Sequence, residues 1–81
     1  MPRYTARLRV PADIGLALQQ ARLAQGRTQA ELGEDLGVSQ STISAIEAGH
    51  STILVRRILE MARETGLEFS ASWEVPDASG D

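Results

Sequence analysis

The chain has 81 residues, eight arginines and no lysine, no cysteine, one histidine and a net charge of −3. That length makes one small domain whose single core is marginal unaided. The missing cysteines exclude disulfides and thiolate metal sites, and one histidine leaves no expected metal or cofactor, so oligomerisation is the remaining aid.

No long apolar run and no signal peptide are present, so a soluble, intracellular (cytoplasmic) chain is expected. The acidic balance argues mildly against binding nucleic acid. Net charge is a whole-molecule sum, however, and phosphate contacts are local. Arginine is the better fork for phosphate, and helix N-termini add partial positive charge.

From Tyr4 to Val10 the chain alternates: Tyr4, Ala6, Leu8 and Val10 point one way, and Arg3, Thr5, Arg7 and Arg9 the other. This predicts a strand with one basic face, a disordered basic arm being the alternative. Pro11 then suits a helix start. The first helix is expected from about Ala12 to Gln25, with Ile14, Leu18, Ala21, Arg22 and Gln25 as its inner stripe. Leu16 and Leu23 fall on its opposite face. Arg22 is the odd member of the stripe, and Glu47, on the inner side of the third helix, is its candidate partner.

Thr28 and Glu31 have the spacing of a capping box and open the second helix. Gly33 inside it suggests close approach to the third helix. Gly37 supplies a turn, expected at positive φ. Ser39 is a good N-cap for the third helix, Ile43 and Ile46 give it an inner face, and Gly49 can end it. Its outer face carries Gln40, Ser41, Ser44 and Ala45, which are short and uncharged and lie near the helix start. A helix entering the DNA major groove touches base edges there. The stretch reads as a helix-turn-helix, with those four residues reading bases.

Ser51 or Thr52 caps a fourth helix running to about Thr65, with Leu54, Val55, Ile58, Met61 and Ala62 facing inward. Ile53 and Leu59 lie off that stripe and are left to meet a second subunit. Gly66 stops the helix. From Leu67 to Val75 the chain alternates again, Leu67, Phe69, Ala71, Trp73 and Val75 against an acidic polar face. One strand cannot stand alone. The basic-faced and acidic-faced strands are therefore expected to pair, within one chain or between two. Pairing across a two-fold axis would put Phe69, Ala71 and Trp73 in a dimer interface. The expected fold is mostly α: a four-helix domain over residues 1–75 with strands at about 4–10 and 67–75, and a disordered tail at 76–81.

Catalysis is not expected. His50 has no carboxylate at hydrogen-bonding spacing in sequence, and the adjacent Glu34 and Asp35 point about 100° apart on a helix.

The pattern TQAELxxxxGxSQxTISxxExG from Thr28 to Gly49 is similar to the Xre/Cro-type helix-turn-helix of phage and plasmid repressors. The strand LEFSASW directly after the fourth helix looks like that of the HipB-like antitoxin branch. The resemblance implies a sequence-specific transcriptional repressor that binds a palindromic operator as a homodimer joined by its C-terminal strand. It further implies autoregulation of a HipBA-like type II toxin–antitoxin operon and neutralisation of a HipA-like kinase toxin. A stand-alone phage- or plasmid-type repressor and a mainly protein-binding adaptor are the alternatives. Residue by residue, the resemblance implies a phosphate contact for Gln29, base reading for Gln40, with Ser41, Ser44 and Ala45 as the next outer positions, and a structural ion pair between Arg22 and Glu47. Arg27, Ser39, Thr42, His50 and Ser51 complete the set expected to set register on phosphates. The family usually has Ala where this chain has Gly33, and an apolar residue where it has Arg27. Nucleoid association follows from the same reading.

Overall fold

The computed structural model describes residues 2–76. In chain order it contains β1 (Arg3–Arg7), α1 (Pro11–Ala24), α2 (Gln29–Leu36), α3 (Gln40–Glu47), α4 (Ile53–Thr65) and β2 (Ser70–Glu74). The predicted tail at 76–81 lies, from residue 77 on, outside the described residues.

The two strands pair antiparallel within one chain, with Tyr4 opposite Trp73 and Ala6 opposite Ala71. Their polar faces match as the charges suggest: Arg3 meets Glu74 at 3.4 Å and Arg7 meets Glu68 at 2.9 Å. Both pairs are exposed and contribute little to stability. They set register, since a slip of one residue would turn Trp73 out to solvent. Both strands are shorter than their alternation. β1 stops because the carboxylate of Asp13 accepts the amides of Arg9 and Val10 at 2.8 and 3.1 Å, ending the ladder and opening α1 at Pro11. Leu67 lies before β2 and is exposed.

α1 is covered on two sides, where the periodicity suggests one stripe. One side carries Gly15 and Arg22, both buried. A Cβ at Gly15 would stand 2.4 Å from the carbonyl oxygen of Ile46 and 2.6 Å from that of Glu47. The bare backbone is what lets α3 lie against α1. The other side presents Ala17 and Ala21 with Leu18 to Ala71 and Trp73 of the sheet. Leu18 is half exposed and Gln25 exposed, so neither is the inner residue expected.

α4 turns a different arc inward. Leu59 and Ala62 are buried at 3% and 4% exposure, with Val55 half-buried beside them. Leu54, Ile58 and Met61, expected inside, are 66%, 45% and 66% exposed. The two arcs adjoin on a helix that is apolar over half its girth, so spacing alone does not choose between them. Contact with Leu8, Ile14 and Phe69 makes the choice. Leu59 is therefore a core residue of its own chain and leaves the predicted dimer interface.

The sheet's inner face is likewise covered from within. Ala71 and Trp73 face α1 and Phe69 faces Leu59, so the burial these three have is intrachain. Trp73 meets Tyr4 edge-on at 6.2 Å between centroids.

Candidate nucleic-acid interface

The elbow between α2 and α3 is built by two glycines. Gly37 caps α2 in the left-handed conformation, φ 72°, where a side chain would be strained. Its amide donates to the carbonyl of Glu34 at 3.2 Å, and that of Val38 donates to the carbonyl of Gly33 at 2.9 Å. Gly33 makes a close approach to this elbow and the start of α3: a Cβ there would sit 2.7 Å from the carbonyl oxygen of Val38. The capping box of α2 is formed in full, the amide of Glu31 donating to the hydroxyl of Thr28 at 3.0 Å and the amide of Thr28 to the Glu31 carboxylate at 2.8 Å. These bonds to Thr28 hold the Glu31 carboxyl below its ordinary range.

Ser39 caps α3, its hydroxyl accepting the amide of Thr42 at 3.1 Å. The same hydroxyl shares hydrogen bonds with those of Ser41 and Thr42, each 2.9 Å. Three hydroxyls are thus gathered at the N-terminus of α3, where the helix dipole is positive. Gln40, Ser41 and Ser44 are exposed and Ala45 is half-buried, so all four predicted base-reading positions lie on or beside the open face. Ile43 is buried beneath them, while Ile46 is only partly covered.

The far end of α3 is anchored by an ion pair. Arg22 Nε donates to Glu47 Oε2 at 2.7 Å and Nη2 to Oε1 at 2.9 Å, with the two side chains only 7% and 4% exposed. Arg22 Nη1 also donates to the carbonyl of Arg27 at 2.7 Å, and Gln29 Nε2 donates to Glu47 Oε1 at 3.0 Å. One carboxylate and one guanidinium thereby join α1, the α1–α2 loop, the start of α2 and the end of α3. The Arg22 hydrogen bonds hold the Glu47 carboxyl below its usual range despite burial.

The predicted phosphate contacts are less uniform. Ser39 and Thr42 stand together at the α3 N-terminus. Gln29 has its amide N–H on Glu47, which leaves its carbonyl oxygen and second N–H for other partners. Arg27 pairs with Asp35 and also donates to Gln25 Oε1 at 3.3 Å, so its charge is partly neutralised within the chain. His50 is exposed after Gly49, and Ser51 is half-buried with its hydroxyl donating to the Thr52 carbonyl at 3.3 Å. It is Thr52 that caps α4, accepting the amide of Val55 at 3.3 Å.

Sequence reasoning missed Gly15, the bond of Arg22 to the Arg27 carbonyl and the second role of Gln29. Only Gly15 carried a signal: a glycine seven residues before a buried arginine shares its helix face. Among the described residues no helix is long and apolar enough to cross a membrane.

Compared with known protein families, this arrangement has a counterpart: a family model described as helix-turn-helix matches residues 18–71, from the middle of α1 into β2. No curated protein and no solved structure matches the chain.

Proposed function

The chain belongs to the helix-turn-helix family, a family of DNA-binding transcriptional regulators, and on that premise we propose that it is an operator-specific repressor acting as a homodimer. The observation that carries this reading is the rigid, uncharged ridge of Gln40, Ser41 and Ser44 at the capped start of α3, exposed and backed by the Gly33–Gly37 elbow. Gln40 can bond an adenine through N6 and N7, Ser41 and Ser44 can bond bases, and Ala45 can touch a thymine methyl. Ser39, Thr42, Gln29, Arg27, His50 and Ser51 set register on phosphates in this reading, with Arg27 shared between Asp35 and the backbone of the duplex.

Dimerisation is supported by the poor self-burial of one chain. Among the described residues no large side chain is fully buried, and Ile53, Leu54, Met61 and Leu67 are more than half exposed. The side of β2 that faces away from β1 offers Ser70, Ser72 and Glu74 as an open edge, which suits pairing with a second β2. Two copies of α3 would then enter successive major grooves, with half-sites roughly 34–36 Å apart or a multiple of that. The strand following α4 also supports an antitoxin role, in which the dimer represses its own operon and neutralises a kinase toxin.

The test is a titration against the chain's own promoter and random DNA over a range of salt. Tight binding that weakens steeply with salt, with a ratio of about a thousandfold or more over random duplex, is expected. Equal affinity for both duplexes would sink the repressor reading. A kinase-like protein encoded beside this one and purifying with it distinguishes antitoxin from stand-alone repressor.

A further inference from the structure

The arc of α4 that the fold leaves outside is continuous. Leu54, Ile58 and Met61 follow one another at spacings of four and three, and they are 66%, 45% and 66% exposed. Thr65 extends the row by four more residues and already satisfies its hydroxyl on the carbonyl of Met61 at 2.7 Å. A seam with this alternation is the kind along which two helices pack. Arg57 and Glu64 border it on one flank, seven residues apart and of opposite sign. Among the described residues Arg57 bonds only within its own helix, to Glu60 at 2.7 Å.

We propose that this face of α4 packs antiparallel against the same face of a second copy. The charge pattern selects the occupant and its direction. A two-fold axis crossing α4 near Glu60 reverses the helix, so the row from Leu54 to Thr65 meets itself end for end. Ile58 then lies against Met61 of the second copy, and Leu54 against Thr65 of the second copy. The same operation keeps both charged flanks on one side of the seam and brings Arg57 level with Glu64 of the second copy, twice over. A parallel pairing would carry the two charged flanks to opposite sides of the seam, where Arg57 and Glu64 would each face the flank of Val55 and Ala62 and find no opposite charge. The sequence is thus self-complementary in the antiparallel sense alone, as a two-fold interface demands. The apolar surface continues past the helix end through Leu67, which is 58% exposed. The pairing rests on the dimeric reading above but sets its two-fold at α4, with the outer edge of β2 as the competing surface.

The experiment is sedimentation equilibrium on the full chain, with helical circular dichroism to confirm folding of each variant. Four variants are compared with the parent: Arg57→Glu, Glu64→Arg, the two combined, and Ser72→Pro, which blocks the outer edge of β2 alone. Each single reversal is expected to raise the dimer Kd by about tenfold or more, because it sets like charges together twice. The double reversal is expected to return the Kd to within about threefold of the parent, since it restores both pairs in the opposite sense. Three results would overturn the proposal. A dimer indifferent to both reversals but broken by Ser72→Pro places the two-fold at the strand edge and leaves the dimeric reading standing. Single reversals that weaken the dimer without rescue by the double variant reject the antiparallel register. A parent chain that stays monomeric at all concentrations removes both this surface and the dimeric reading.

Discussion

Arg22 and Glu47 form a bidentate pair at 2.7 and 2.9 Å where α1, α2 and α3 converge, and each also holds a further element through one more hydrogen bond. A pair of this kind adds little net stability compared with a well-packed apolar substitute, but removing one partner strands the other. Glu47→Ala is therefore expected to cost about 3 kcal/mol in urea unfolding. Arg22→Met combined with Glu47→Leu is expected to recover most of that loss while loosening the angle between α1 and α3. The double variant should fold yet bind DNA less tightly than the parent, a split that equilibrium unfolding and operator titration together resolve.

The same pair sets an acid limit. Arg22 holds the Glu47 carboxyl below its ordinary value in the folded chain. The unfolded chain consequently takes up the proton first as pH falls, so acid favours unfolding. Stability from this group is fully present above the ordinary carboxylate range, about 4.3, and is lost as pH falls through the lower folded value. Glu31, held down by Thr28, acts in the same direction. The slope of unfolding free energy against pH between about 5 and 3 should be shallower in Glu47→Gln than in the parent. An unchanged slope would assign the acid sensitivity elsewhere.

Gly15→Ala tests how tightly α1 and α3 are pressed together. Alanine in a helix is intrinsically better than glycine by about 1 kcal/mol. Here the added methyl meets three backbone atoms of Ile46 and Glu47 within 2.9 Å, none of which can swing aside. The clash outweighs propensity, and a net loss of about 2 kcal/mol is expected. Thermal unfolding gives the sign directly: a rise in Tm would mean that the helices stand further apart than the structure has them.

Local chemistry made much of this fold legible. Caps and turns announce themselves through residues only a few positions apart, and Thr28, Glu31, Gly37, Ser39 and Gly66 all act where their types suggest. The Arg22–Glu47 pair was legible in part: an arginine on an apolar stripe either reaches out to solvent or meets a carboxylate, spacing offered Glu47, and the family resemblance implied the pairing. What stayed hidden depends on distant geometry. The apolar half of α4 contains two adjoining arcs, and only Leu8, Ile14 and Phe69 from elsewhere in the chain decide that Leu59 goes inside and Leu54 outside. Arg27 reads as a cation open to phosphate until Asp35, on the next helix, is seen to hold it.

The strands offer a further check because Trp73 is the lone tryptophan. The amides of Leu8 and Val75 bond across the ladder to Phe69 and Pro2 at 2.9 and 2.8 Å, which places even-numbered residues of β1 on the bonding side. Ala6→Pro removes a donor from the middle of that ladder and is expected to detach β1. Trp73 would lose its contact with Tyr4 and gain water, shifting its emission to longer wavelength. The helices should keep their circular dichroism, since β1 touches them mainly through α1. Loss of helical signal together with the emission shift would make β1 part of the cooperative core.

Specific and non-specific contacts should separate cleanly at the DNA surface. Gln40 is exposed and makes no side-chain hydrogen bond within the described residues, so Gln40→Ala leaves the fold untouched. Against a panel of operators varied one base pair at a time, it should flatten preference at one position per half-site by about 1–3 kcal/mol and leave the others as they were. Arg27→Gln is expected to behave differently. Its guanidinium is already paired to Asp35, so the charge available to a phosphate is partial, and the loss should be small, equal for all sequences and accompanied by a lower salt slope. Asp35→Asn supplies the converse: freeing Arg27 should tighten binding to every duplex alike. If Gln40→Ala weakened all sequences equally while Arg27→Gln altered base preference, the N-terminal turn of α3 would not be the part that reads the groove.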